Sequence, residues 1–155
     1  MEEGIGSKGD KMILIAHRGN VKGPEPQKEN RPSYLLKAVS MGYSVEVDVW
    51  YIDGKLLLGH DEPQYETDIA FLQNDKFWCH CKNIEAVQKL LHNNIHCFYH
   101  KSDDVTLTSE NYIWTFPKKR LLPGSICVMP EYGYSGNLAE CAGICSDYVL
   151  DYEEL

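Results

Sequence analysis

No stretch of this 155-residue chain is apolar for long enough to serve as a signal peptide or to cross a membrane. The expectation is a cytoplasmic protein with no stable membrane insertion. Basic charge is also scarce. The formal net charge is -8, which argues against nucleic acid or an anionic membrane surface as partner, because both want a cationic face. A phosphate substrate survives that argument, since a few local cations or one metal ion can invert the field inside a site. No CxxC pair occurs among the six cysteines, and Cys141 and Cys145 stand in a CxxxC spacing. A structural zinc site is therefore disfavoured. Reduced thiols acting as small hydrophobes are the expectation for Cys79 and Cys127, which lie inside apolar runs. Internal repeats, low-complexity tracts and linkers are absent too. Residues 1–11 read as a flexible leader, and 12–155 as one domain with a real hydrophobic core.

What is present is a rhythm of strands and helices. Residues 11–16 form a short apolar run ending at a polar cluster, which predicts a buried strand. Residues 31–41 carry apolar positions at helical spacing, with Asn30 as cap, Pro32 in the first turn and Gly42 as the stop. Residues 44–51 alternate strictly, with Val45, Val47 and Val49 on one face and Glu46, Asp48 and Trp50 on the other. Further strands are predicted at 56–58, 77–81, 95–99, 112–116, 126–129 and 148–150, with a helix over 83–93. Strand alternating with helix implies parallel β/α units. A full (β/α)8 barrel takes roughly 250 residues, about 200 at the low end. The expected fold is an α/β protein: a compact, shortened or incomplete TIM-type (β/α) barrel.

The chemistry-bearing residues follow that rhythm. Glu46 and Asp48 share one strand face. Two carboxylates side by side in a low-dielectric site repel, and a divalent cation with oxygen ligands resolves the conflict. His17-Arg18-Gly19 follows the first strand, where β/α architectures build their sites. Histidine exchanges protons near neutral pH, and arginine offers a fork matched to phosphate. His60 reaches the face of Glu46 only in one hairpin register. A two-residue Asp53-Gly54 loop pairs Ile52 with Lys55 and points His60 the wrong way. A three-residue loop pairing Tyr51 with Lys55 points it correctly. The functional reading therefore predicts the three-residue loop, or a bulge doing the same job. His80 and Lys82 share a face of the strand over 77–81, His80 as a metal ligand and Lys82 as a phosphate partner.

Taken in order, AHRG (16–19), KEN (28–30), VEVDVW (45–50), DGKLLLGHD (53–61) and CHCK (79–82) resemble the glycerophosphodiester phosphodiesterase superfamily. The resemblance is dense over residues 12–62 and thinner to Lys82; GICSDY (143–148) resembles the closing strand. It implies a TIM-type barrel, catalytic histidines at His17 and His60, and a divalent metal held by Glu46 and Asp48. Arg18, Asn30 and Lys82 would meet the substrate phosphate, and Glu29 and His80 would join the metal. The family has an acidic residue where this chain has His80. Mg2+ or Ca2+ is the expected ion, and the imidazole shifts the preference toward Mn2+ or Zn2+. The implied activity is hydrolysis, or cyclising cleavage, of a small phosphodiester such as a glycerophosphodiester. The alternative is a noncatalytic relic that binds a phosphate ligand or a protein. A zinc hydrolase using His80, His96 or His100 with cysteines is the third reading. The short chain leaves the site open or completed by a second copy.

Overall fold

The computed structural model describes residues 11–155, so nearly all of the expected leader over 1–11 lies outside the described residues. Ten strands form one curled mixed sheet. They are β1 (Ile13–His17), β2 (Ser44–Ile52), β3 (Lys55–Leu58), β4 (Tyr65–Thr67), β5 (Phe77–Cys81), β6 (Cys97–Tyr99), β7 (Val105–Leu107), β8 (Ile113–Thr115), β9 (Ile126–Val128) and β10 (Gly143–Ser146). The helices are α1 (Pro32–Ser40), α2 (Ile69–Leu72) and α3 (Ile84–His92). The path β4-β3-β2-β1-β10-β9-β8-β7 runs along the sheet, and β5 and β6 branch from β2.

The expected TIM-type (β/α) barrel is thus corrected. The structure is a half-barrel built mostly of sheet, with three short α-helices among the described residues, not a strand–helix alternation. Sequence chemistry explains why. The connections after β8 contain Pro117, Pro123, Gly124, Pro130, Gly133 and Gly136, which interrupt any helix. These segments close instead as turns and single 3-10 turns at Pro130–Tyr132 and Leu138–Glu140. An antiparallel three-stranded meander, β2–β3–β4, and an antiparallel hairpin, β7–β8, replace helical crossovers. The strand expected over 148–150 is also corrected. The last strand is β10 at 143–146, and Val149–Tyr152 is a 3-10 turn.

The two predicted helices form where expected, with different caps. Arg31 is the N-cap of α1, and Asn30 stands outside it at φ 67, its side chain turned elsewhere. Asn83 caps α3 by accepting a hydrogen bond from the Ala86 amide. Both helices bury one stripe (Leu35 and Ala38; Ala86 and Leu90) against the convex face of the sheet, where Val45, Val47 and Val49 are fully buried. No helix among the described residues is long and apolar enough to cross a membrane.

The concave face positions the site. Ile15, Trp78, Phe98, Trp114, Ile126 and Cys145 pack there into a buried layer. Side chains two residues apart on a strand share a face. One step further along each strand therefore brings His17, His80, His100, Phe116, Val128 and Asp147 into a second layer. That layer lines an open cavity of about 320 Å3, with Glu46, Asp48 and His60.

The hairpin carries an informative correction. Ile52 pairs with Lys55, and Asp53 and Gly54 both have positive φ. It is the two-residue loop, not the predicted three-residue one. In that register His60 would face away from Glu46. It reaches the cavity because the ladder stops at Leu58 and Gly59, at φ 151, breaks the alternation. The Gly59 amide donates to the Asp48 carbonyl, and its carbonyl accepts from the Trp50 indole. A Cβ on Gly59 would stand 2.0 Å from the Glu62 carbonyl oxygen. Gly59→Ala is therefore expected to cost about 3 kcal/mol, read by urea denaturation. A cost below about 0.5 kcal/mol would show that this turn relaxes freely.

Candidate metal and proton-transfer site

The site begins with β2. Glu46 is 2 % exposed and Asp48 fully buried, and their carboxylates face the cavity. His80, on the neighbouring strand in register with Asp48, places Nδ1 3.4 Å from Glu46 Oε2 and 3.4 Å from Asp48 Oδ1. Its other nitrogen, Nε2, lies 3.1 Å from the His100 carbonyl oxygen. A carbonyl only accepts, so Nε2 carries the proton and donates. In the neutral ring Nδ1 is then a lone pair facing two carboxylate oxygens. Three acceptors converge with no donor among them, and Asp48 Oδ1 is buried without a hydrogen-bond partner among the described residues. A cation satisfies all three, and a ligating imidazole characteristically donates its second N–H to a carbonyl in this way. Glu46, Asp48 and His80 could hold a metal ion, their donor atoms lying within 4.8 Å of one another. No cysteine belongs to that group. All six cysteines are buried and free.

Asp48 is braced from behind. Asn30 donates from Nδ2 to Asp48 Oδ2 (2.9 Å) and accepts from the Asp48 amide (2.9 Å). Arg18 Nε and His60 Nδ1 each stand 3.6 Å from Oδ2, a distance for coulombic attraction rather than a hydrogen bond. Burial pushes the Asp48 carboxyl up. His60, Arg18 and the Asn30 donor, joined by His80 whenever its ring is protonated, outweigh it and hold the group well below the usual carboxylate range.

His17 is set at the Glu46 end. Its Nδ1 is 2.7 Å from Asp147 Oδ1, and its Nε2 is 3.9 Å from Glu46 Oε1. Asp147 also accepts from Asn20 Nδ2 at 2.9 Å. Burial pushes the Asp147 carboxyl up, but the bonds from His17 and Asn20 hold it below its ordinary value. The ionised carboxylate only accepts, so His17 Nδ1–H donates and Nε2 is presented to the cavity. Burial would lower the His17 pKa. The Glu46 and Asp147 carboxylates more than offset this, and the imidazole titrates above its ordinary value. His60 sits at the Asp48 end, 37 % exposed, with Nε2 3.6 Å from Asp61.

Arg18 adopts φ 57, and its amide donates to Glu46 Oε1 and to the Glu46 carbonyl. A left-handed arginine at the end of a strand is held by its surroundings, and such positions cluster at functional sites. Its Nη1 pairs with Glu29 Oε1 at 3.2 Å.

Of the expected residues, His17, Arg18, Glu46, Asp48, His60 and His80 line one cavity. Glu29, Asn30 and Lys82 do not. Glu29 holds Arg18 and Asn20, outside the Glu46–Asp48–His80 group. Asn30 spends both side-chain atoms on Asp48, and Lys82 meets the sheet through its amide on the Val49 carbonyl. Sequence reasoning missed Asp147 and named His100 only as a candidate zinc ligand. Both follow from the two-residue step past Cys145 and Phe98. No protein-family model, curated protein or solved structure matches the chain.

The Asn30 clamp gives a sharp expectation. Asn30→Ala leaves the buried Asp48 amide unpaired and is expected to cost about 2–3 kcal/mol. It should also weaken Mn2+ binding by about 10–100-fold, measured by calorimetry. Unchanged affinity with full destabilisation would confine Asn30 to the fold.

Proposed function

We propose that this protein is a metal-dependent phosphodiesterase acting on small phosphodiesters, of the glycerophosphodiester type that the sequence resembles. One observation carries the reading: two histidines stand at the two ends of a buried carboxylate pair whose third partner is His80, all within one cavity. A pure binding site has no need of two proton-transfer groups set about a cation site.

A divalent cation held by Glu46, Asp48 and His80 would polarise a phosphoryl oxygen and offset its charge. The residues of the chain do the rest. Arg18 lines the cavity beside Asp48 and supplies a fixed positive charge for the other nonbridging oxygen. One histidine takes a proton from the attacking hydroxyl or water, and the other returns one to the leaving alkoxide. His17, with Nδ1–H anchored on Asp147, offers Nε2 for one of these transfers. His60, half open to solvent, offers the other. The attacker is a water, or a neighbouring hydroxyl of the substrate that yields a cyclic phosphate.

The test is a panel of small phosphodiesters incubated with Mg2+, Mn2+ or Ca2+ and followed by phosphorus NMR. Cleavage is expected with at least one cation, lost in EDTA and restored when the cation returns. Cleavage unaffected by EDTA sinks the metal-dependent scheme. Diester binding without any product establishes the noncatalytic alternative.

A further inference from the structure

The cavity has two unlike sides. The carboxylates, His17, Arg18 and His60 make one. The other is apolar, formed by Trp114, Phe116, Val128, Met129 and Tyr132. His100 closes that second side. It is 8 % exposed, and neither ring nitrogen has a hydrogen-bond partner among the described residues. A buried polar ring with both nitrogens unsatisfied marks a place where a partner is missing. Its ring meets Phe116 edge-on at 4.8 Å. Behind it, Phe98 lies 4.4 Å from Trp114 between ring centroids, so the wall is fixed by aromatic packing. The phosphate chemistry uses none of these groups.

We propose that this wall is the subsite for the alcohol of the diester, and that it selects an apolar, ring-bearing alcohol whose hydroxyl or other polar atom hydrogen-bonds His100. This rests on the phosphodiesterase reading. The apolar side chains take the body of the alcohol, and His100 takes its polar end. A neutral imidazole supplies one donor and one acceptor, so a hydroxyl matches it on either nitrogen. The open mouth of this cavity of about 320 Å3 admits such a group.

The test compares three non-hydrolysable phosphonate analogues that differ only in one ester group: methyl, 2-phenylethyl and 2-(4-hydroxyphenyl)ethyl. Their dissociation constants are measured by calorimetry with excess Mg2+, Mn2+ or Ca2+. The phenylethyl ester is expected to bind about tenfold more tightly than the methyl ester. The added hydroxyl is expected to contribute about fivefold more. Phe116→Ala should erase most of the first gain. His100→Leu should erase the second and His100→Gln should keep it. The His100 carbonyl that receives His80 is untouched in both, so metal binding is the folding control. Three equal affinities, or a hydroxyl gain that survives His100→Leu, overturn the subsite. Turnover of diesters with no such ordering sinks this inference alone. The ordering without any turnover sinks the phosphodiesterase reading and leaves the subsite standing.

Discussion

Replacing His17 by alanine is expected to lower phosphodiester turnover by about 10^4-fold, the upper range for losing a general acid–base group. The geometry sets the size of the effect. Nε2 of His17 faces the cavity within 3.9 Å of Glu46, and no other titratable group is anchored on Asp147 among the described residues. The carboxylates raise its pKa, so a protonated fraction persists at neutral pH. His60→Ala should act at the other end of the carboxylate pair with a similar loss. It is 37 % exposed, so its removal costs little stability. If both rings serve one reaction coordinate, as the proposed scheme requires, the double variant should be little slower than either single one. The control is calorimetric titration with Mn2+, which neither substitution should shift by more than about tenfold. A single variant within tenfold of wild-type turnover defeats the two-histidine scheme.

Much of this site is legible in period-two arithmetic. Ile15 to His17 and Glu46 to Asp48 are same-face steps, so one register decision on β1 and one on β2 place four residues. The same step from Phe98 gives His100, and from Cys145 gives Asp147. Both were available in the sequence, and misplaced strand boundaries kept both out of the expected phosphodiesterase site. The strand expected over 95–99 stops one residue before His100, and the one expected over 148–150 displaces β10 by several residues.

His60 is a different case. Its hairpin follows the local Asp-Gly rule, and the sequence argument that demanded another loop was sound only for an unbroken ladder. Gly59 breaks the ladder, and a lone glycine at a strand end gives no warning of which way the chain will turn. Asn30 shows the same competition. Its type suits a helix cap, and the buried Asp48 amide claimed it instead, because an unpaired buried donor costs more than an imperfect cap. The fold was misjudged through its connections. The strand rhythm implies crossovers by helices, whereas prolines and glycines after β8 leave room for turns alone.

Asp147→Asn is the second large effect, expected to lower turnover by about 10^3- to 10^4-fold while changing almost no volume. The carboxylate accepts from His17 Nδ1–H at 2.7 Å, which fixes the tautomer that presents Nε2. An asparagine can turn its amide and donate to Nδ1 instead. The proton then moves to Nε2, and the ring can no longer accept one there. Loss of the charge also lowers the His17 pKa, since Asp147 is one of the groups that raise it. Nitrogen-15 NMR of the ring reads both changes directly. A stability signature accompanies them. The Asp147 pKa is depressed in the folded protein, despite burial that pushes it up, by its bond from His17. Such a group stabilises the fold above its unfolded value of about 3.9, and that contribution disappears as pH falls through the folded value. The deficit of Asp147→Asn in thermal melting should therefore be full at neutral pH and shrink in acid below about pH 4. An asparagine variant with wild-type turnover, an unmoved His17 titration and a pH-independent deficit would reduce Asp147 to packing. That outcome would remove the anchored tautomer from the scheme and leave His60 as the better-supported proton carrier.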